Sequence, residues 1–114
     1  MGKLTTHVLD TARGKPGAGI ALELCVLDGK NWTVLKTVKT NTDGRTDSPL
    51  LEGAALRTGT YQLLFHIGAY FRANGMAAEF IDVVPIRFAI ADATAHYHVP
   101  LLCSPWSYTT YRGS

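Results

Sequence analysis

The sequence predicts an all-β protein, a β-sandwich of seven or eight short strands with one short helix. Apolar side chains alternate with polar ones along several short segments, as they do in strands that bury one face. Turn-forming residues separate these segments at regular intervals, which is typical of a sandwich. At 114 residues, the chain is expected to fold as one domain spanning residues 1–114.

The first half of the chain contains three predicted strands. They span residues 4–11, 20–27 and 32–40. In the second of them, one face is expected to carry Ile20, Leu22, Leu24 and Val26. Cys25 then belongs to the opposite face. The connection Asp28-Gly29 is typical of a hairpin and joins the second strand to the third.

The second half contains the remaining strands and the helix. The strands are expected at residues 60–67, 86–90 and 95–102, and then from Trp106 towards Tyr111 at the end of the chain. Residues 69–79 include four alanines and two aromatic residues, which favours a short helix. Gly75 is expected to end or interrupt that helix.

Composition and charge limit the possible partners and the cellular location. The net charge is only +2 and the basic residues are scattered, which indicates neither a nucleic acid nor a membrane partner. Cys25 and Cys103 lie in apolar segments, and we interpret them as buried thiols rather than as a disulfide. The N-terminus has no apolar leader segment, so a cytoplasmic location is expected.

The candidate chemical groups are histidines and arginines. His96 and His98 are two residues apart on a predicted strand, so their side chains should share a face. A zinc site formed with His7 is one alternative. The sequence contains no GxSxG segment and no glycine-rich phosphate loop, so a covalent nucleophile is not indicated. Histidines with Arg45 and Arg112 suit base activation of water and stabilisation of an oxyanion.

Three stretches of sequence match a known family. They are Leu-Thr-Thr-His-Val-Leu-Asp-Thr at 4–11, Thr-Asp-Gly-Arg at 42–45, and the long segment from His96 to the Tyr-Arg-Gly-Ser ending at 111–114. In these stretches the chain resembles the 5-hydroxyisourate hydrolases, the enzymatic branch of the transthyretin-like proteins. The resemblance implies a transthyretin-like β-sandwich that assembles as a homotetramer, a dimer of dimers with active sites in a shared channel. It implies the substrate 5-hydroxyisourate and neither a metal nor an organic cofactor.

The resemblance also implies the residues of the site. They are His7, Arg45, His98, Tyr111, Arg112, Gly113 and Ser114. Our hypothesis is that His7 and His98 form a pair, and that one of them, neutral, takes a proton from water. Arg45 would bind substrate oxygens and stabilise the oxyanion.

The C-terminal residues have less direct predicted roles. Ser114 and the Tyr111 hydroxyl would orient water or substrate. Arg112 would either bind substrate or hold the terminus in place, and Gly113 would let the backbone approach closely. The alternative function is that of a transthyretin-like small-ligand carrier. In that branch, lysine, glutamate and threonine stand at the positions of His7, Arg45 and His98.

Overall fold

The computed structural model describes residues 1–113 and shows two β-sheets that form a sandwich. Among these residues there are nine strands, two of which have only two residues, and one α-helix. In chain order the strands are β1 (Lys3–Asp10), β2 (Lys15–Pro16), β3 (Ala21–Asp28), β4 (Asn31–Lys39), β5 (Leu51–Glu52), β6 (Gly59–His66), β7 (Val83–Ile90), β8 (His96–Cys103) and β9 (Tyr108–Thr110). The helix α1 spans Ile67–Ala73, and a 3₁₀ turn spans Gly53–Ala55. The predicted all-β sandwich with a short helix is confirmed.

In both sheets the spatial order of the strands differs from their order along the chain. The first sheet has the order β2-β1-β8-β9, with β5 pairing with the start of β1, and the second has the order β4-β3-β6-β7. Strands β1 and β8 run parallel, whereas the other strand pairs within residues 1–113 are antiparallel. A parallel pair needs a crossover connection, and here the crossover contains the entire second sheet.

The core lies between the sheets and largely follows the predicted alternation. Leu4 and Val8 of β1 have no exposed surface, nor do Leu22 and Leu24 of β3 or Leu63 of β6. Each fully buried aliphatic side chain stabilises the fold by about 1.5–3 kcal/mol. The intervening residues of each strand face outward and are free to carry polar groups.

The two faces of β3 are as predicted, but the degree of burial does not follow them strictly. Cys25 pairs with Gln62 of β6 and so lies on the outer face, as predicted, yet it is buried, whereas Val26 on the core face is only partly buried. The register of β3 against β4 shifts between Leu24 and Cys25, which leaves Leu35 of β4 as an extra residue. The bulge therefore lies in β4 and interrupts the alternation of faces along that strand, while the pairing of β3 with β6 stays continuous.

The helix is shorter than expected and begins earlier. It follows β6 directly and ends at Ala73, so the predicted continuation to residue 79 is wrong. Gly75 has a φ of 76°, which a right-handed helix does not allow. The N–H of Met76 donates to the carbonyl of Phe71, and that of Gly75 to Arg72, so the free carbonyls of the last turn are satisfied. No helix within residues 1–113 is long and apolar enough to cross a membrane.

A buried carboxylate joins α1 to the end of β1. The Asp10 side chain is fully buried, and its Oδ2 accepts hydrogen bonds from Arg13 Nε at 2.9 Å and from the Tyr70 hydroxyl at 2.7 Å. Burial raises the pKa of Asp10, but the hydrogen bonds from Arg13 and Tyr70 outweigh it and hold the pKa below its usual value. Asp10 is therefore a structural carboxylate that ties the helix to the first sheet.

The C-terminal strand is interrupted earlier than predicted. Strand β9 ends at Thr110, and the pairing with β8 returns only as an isolated bridge between His98 and Gly113. That bridge continues the antiparallel register of β9, in which Thr110 pairs with Leu101. The residue of β8 that follows in this register, opposite Tyr111, is Pro100, which has no N–H to donate. The missing donor explains the gap in the ladder.

Candidate active site

Polar side chains occupy the outer face of the first sheet where β1 and β8 pair. The parallel register makes Thr5 the Cα partner of His98 and places His7 opposite Pro100. His7 lies two residues beyond Thr5, so the two side chains share a face. Both histidines are partly buried. The structure therefore places His7 and His98 on one face of two neighbouring strands.

Arg45 reaches this face through a tight turn. The Asn41 side-chain oxygen accepts hydrogen bonds from the N–H groups of Asp43 at 2.9 Å and Arg45 at 3.1 Å. The Gly44 carbonyl accepts a hydrogen bond of 2.8 Å from the N–H of Val8. A Cβ at Gly44 would lie 2.4 Å from the Val8 carbonyl oxygen, and φ is +75°, so only glycine fits. The turn therefore packs on β1, and Arg45 forms an isolated antiparallel β-bridge with His7.

The hydrogen bond of His7 determines where its proton lies. His7 Nε2 is 2.9 Å from the backbone carbonyl oxygen of Asp43. A carbonyl oxygen can only accept, so Nε2 carries the proton and donates. When His7 is neutral, its lone pair is therefore on Nδ1.

His98 lies in an environment that favours the neutral imidazole. Its Nδ1 is 2.8 Å from the Thr5 hydroxyl oxygen. Burial lowers the pKa of His98 below its usual value of 6.5, and the nearby charge of Arg45 and the neighbouring His7 ring lower it further. At neutral pH, His98 is consequently an uncharged imidazole that can exchange protons.

Gly113 and Arg112 of the C-terminal segment contact opposite faces of β8. The N–H of Gly113 donates to the His98 carbonyl at 2.7 Å. The Arg112 guanidinium lies over the Tyr97 ring at 4.4 Å and donates to the His96 carbonyl, so it packs on the face of β8 opposite to His98. Tyr111 is 58% exposed at the edge of the sandwich. Ser114 lies outside the described residues.

The other histidines do not join this group. His96 is exposed at the start of β8. His66 lies on the second sheet, where its Nε2 is 2.9 Å from a carboxylate oxygen of Glu23. In the part of the chain that the structure describes, no three His, Cys, Asp or Glu side chains are placed to hold a metal ion. The geometry therefore does not favour the zinc alternative built on His7, His96 and His98.

Two contacts of the site were not foreseen from the sequence. They are the hydrogen bonds of Thr5 to His98 and of the Asp43 carbonyl to His7. The period of two along β1 places Thr5 on the face of His7, but its contact with His98 depends on the pairing of strands 93 residues apart. The assembled site offers one guanidinium and two imidazoles, which can bind an anionic oxygen and transfer protons.

The comparisons with known proteins identify the family of this chain. A model of the HIUase/Transthyretin family matches residues 4–113. The chain belongs to this family. It is 56% identical over 116 residues to 5-hydroxyisourate hydrolase 2 of Rhizobium meliloti, and the alignment covers 99% of this chain and 97% of that protein. The family resemblance seen in the sequence is thereby confirmed.

Solved structures of the HIUase/Transthyretin family share the fold. The 5-hydroxyisourate hydrolase of Klebsiella pneumoniae matches with a TM-score of 0.84 at 34% identity, covering 100% of both chains. Sea bream transthyretin, solved in complex with thyroxine, matches with a TM-score of 0.90 at 28% identity, covering 97% of this chain and 94% of that one. The fold is thus common to proteins named as an enzyme and to proteins named as transthyretin.

The contact between Gly113 and His98 generates a prediction. A Cβ at Gly113 would lie 2.7 Å from His98 Cδ2, so Gly113→Ala should displace the imidazole and shift its NMR resonances. The melting temperature should change little, because the imidazole is only partly buried and can move. Gly29→Ala is the matched control: its φ is +64° with no atom within 4 Å, so it should lower stability by about 1 kcal/mol and leave His98 unmoved. Unchanged His98 resonances in Gly113→Ala would contradict this packing.

Proposed function

We propose that this chain, acting as a single domain, hydrolyses 5-hydroxyisourate to 2-oxo-4-hydroxy-4-carboxy-5-ureidoimidazoline. The observation that carries the proposal is the grouping of His7, Arg45 and His98 on one face of the first sheet. Relatives named 5-hydroxyisourate hydrolase are 45–58% identical over nearly the full chain. The sequence-based expectation of a hydroxyisourate hydrolase is in agreement with both.

In the proposed mechanism, neutral His98 is the general base. A water oxygen attacks the cyclic amide carbonyl carbon while its proton passes to the imidazole. The carbonyl π electrons move to oxygen, and Arg45 stabilises the resulting oxyanion. The oxyanion electrons then re-form the carbonyl as the ring C–N bond breaks, the leaving nitrogen takes a proton from the imidazolium, and the ring opens to a single product that carries a carboxylic acid. His7, held by the Asp43 carbonyl, presents Nδ1 to water or substrate.

The carrier alternative shares the fold, and fold alone does not decide function. A carrier needs an apolar cavity that fits its ligand, whereas hydrolysis needs a base and an oxyanion-binding group. The lowered pKa of His98 beside the Arg45 charge is the specific observation that favours hydrolysis.

We also propose that Tyr111, Arg112, Gly113 and Ser114 contribute to the site through assembly. Within residues 1–113, Arg112 stacks on Tyr97, whereas Gly113 contacts His98. A neighbouring subunit provides a way for the remaining groups to reach substrate. A cytoplasmic location is proposed as well, and the two free, buried thiols of Cys25 and Cys103 support it.

The proposed assembly is a homotetramer, a dimer of dimers. In the described part of the chain, β7 and β9 each pair on one side only, and such strand edges pair readily with another chain. An apolar groove of about 280 Å³ lies between them, lined by residues that include Phe88, Val99 and Tyr111. Burial of this groove in a second copy would remove exposed apolar surface from water.

The assembly prediction is tested by sedimentation equilibrium together with activity. The protein should sediment as a tetramer at the concentration of the assay. Phe88→Asp in the groove should shift the distribution towards smaller species and lower the rate, because a charge opposes burial of the interface. Ala73→Asp, at an exposed position of α1, is the control and should leave both unchanged. An active wild-type monomer would contradict the shared-channel arrangement.

The functional prediction compares substitutions of two histidines of β8, His98 and His96. The assay adds the purified protein to urate freshly oxidised by urate oxidase and follows the decay of hydroxyisourate absorbance. His98→Asn should lower kcat by about 100-fold or more, because it removes the general base. His96→Asn changes an exposed histidine two residues away and should have little effect. Equal rates for both variants would refute the role of His98.

The pH dependence provides an independent test. Because burial, the charge of Arg45 and the neighbouring His7 ring lower the pKa of His98, the acid limb of kcat/KM should have its midpoint below pH 6.5. Activity is lost as the pH falls through this pKa, since only the neutral imidazole accepts a proton. Arg45→Gln removes one positive charge, so the midpoint should move to higher pH while the rate falls. Lys30→Gln, in the exposed hairpin between β3 and β4, removes a charge of the same sign and should leave the midpoint in place, and an unmoved midpoint in Arg45→Gln would contradict the electrostatic coupling.

A further inference from the structure

One side chain touches the proposed base directly, yet neither the sequence nor the comparisons give it a role. The hydroxyl oxygen of Thr5 is 2.8 Å from His98 Nδ1. The two residues are Cα partners in the parallel pair of β1 and β8, so the backbone ladder itself holds this distance. Thr5 also lines a cavity of about 180 Å³ beside Arg45. It therefore lies between the proposed base and the proposed anion-binding group.

The hydrogen bond restricts the state of the imidazole. A neutral histidine has one ring N–H and one ring lone pair, and a threonine hydroxyl can pair with either. If Nδ1 carries the proton, the hydroxyl accepts and Nε2 keeps the lone pair. If Nδ1 carries the lone pair, the hydroxyl donates and Nε2 is protonated. Only the first arrangement lets Nε2 of His98 take a proton from water.

Within residues 1–113, Nδ1 of His98 is bonded to Thr5 and so faces the protein, which leaves Nε2 to meet a substrate. The inference rests on the proposed function, because hydrolysis with His98 as the base requires a lone pair on that outer nitrogen. We propose that Thr5 is a positioning residue that accepts the Nδ1–H of His98 and so keeps the Nε2 lone pair free for the reaction.

Two neighbours show that this role is specific. Thr6 is the same residue type one position later, but it is buried and its hydroxyl donates to the Val99 carbonyl at 2.7 Å. It has a structural role and does not touch an imidazole. His7 carries its proton on the other ring nitrogen, because its Nε2 donates to the Asp43 carbonyl. The two site histidines thus carry their protons on different nitrogens, each set by a partner on a neighbouring segment.

The first test needs no substrate. Long-range ¹H–¹⁵N NMR of the ¹⁵N-histidine-labelled protein, at a pH where His98 is neutral, reports which ring nitrogen is protonated. The His98 signals are identified by their loss in His98→Asn. We expect Nδ1 protonated in the wild type, and a change towards the Nε2–H form in Thr5→Val. A wild-type His98 protonated on Nε2 overturns the proposal without any variant being needed.

The second test is kinetic and separates positioning from packing. Thr5→Val keeps the shape but removes the hydroxyl, so kcat should fall at least about tenfold while KM changes little. Thr5→Ser keeps the hydroxyl and should restore both the kcat and the tautomer. Thr33→Val, on an exposed position of β4, is the matched control and should behave as the wild type.

The outcomes distinguish this inference from the function on which it rests. Thr5→Val with the wild-type tautomer of His98 overturns the positioning role, whatever its rate. A wild type that does not hydrolyse hydroxyisourate overturns the proposed function, while the NMR measurement still determines the tautomer that Thr5 maintains. A Thr5→Val variant with an altered tautomer and unchanged kcat also contradicts the inference.

Discussion

The candidate site depends on the parallel pairing of β1 with β8. The two strands share eight paired positions, from Lys3 with His96 to Asp10 with Cys103, and the intervening chain builds the second sheet. A parallel pair of this kind closes only after a long crossover has folded, so the site cannot form from a local fragment. The contact of Thr5 with His98 and the proximity of His7 follow from this register. A shift of one residue would turn these side chains towards the core.

The same two strands keep stability and chemistry on separate faces. On β8, Tyr97 and Val99 are buried, whereas His98 between them faces outward. On β1, buried Thr6 follows partly buried Thr5. Because the core side of the sheet provides the packing energy, the outer face can carry imidazoles and a guanidinium without leaving unpaired polar groups in the core. Substitutions on the outer face are therefore expected to change chemistry more than folding.

The charges on the outer face of the first sheet favour the neutral form of His98. Arg45 is delivered by a turn that only glycine allows at position 44, and its charge adds to burial in keeping His98 neutral. In the proposed mechanism the same charge would attract an anionic oxygen, so that one arginine would both prepare the base and stabilise the developing negative charge. The hydrogen bonds of Thr5 and of the Asp43 carbonyl then decide which nitrogen of each imidazole holds a proton.

The sequence by itself determined the sandwich class, the positions of most strands and, through the family resemblance, the grouping of His7, Arg45 and His98. Local periodicity contains this information, because alternation with period two reports which face each residue occupies. Only the tertiary structure showed that the pairing of β9 stops after Thr110. The cause is Pro100 on the partner strand, which has no N–H to donate, and nothing in the sequence near Tyr111 indicates this. The tertiary structure also separated Arg112, which stacks on Tyr97, from Gly113, which packs on His98. Contacts such as that of Thr5 with His98 are set by the register between strands far apart in the chain, and no pattern within one strand encodes that register.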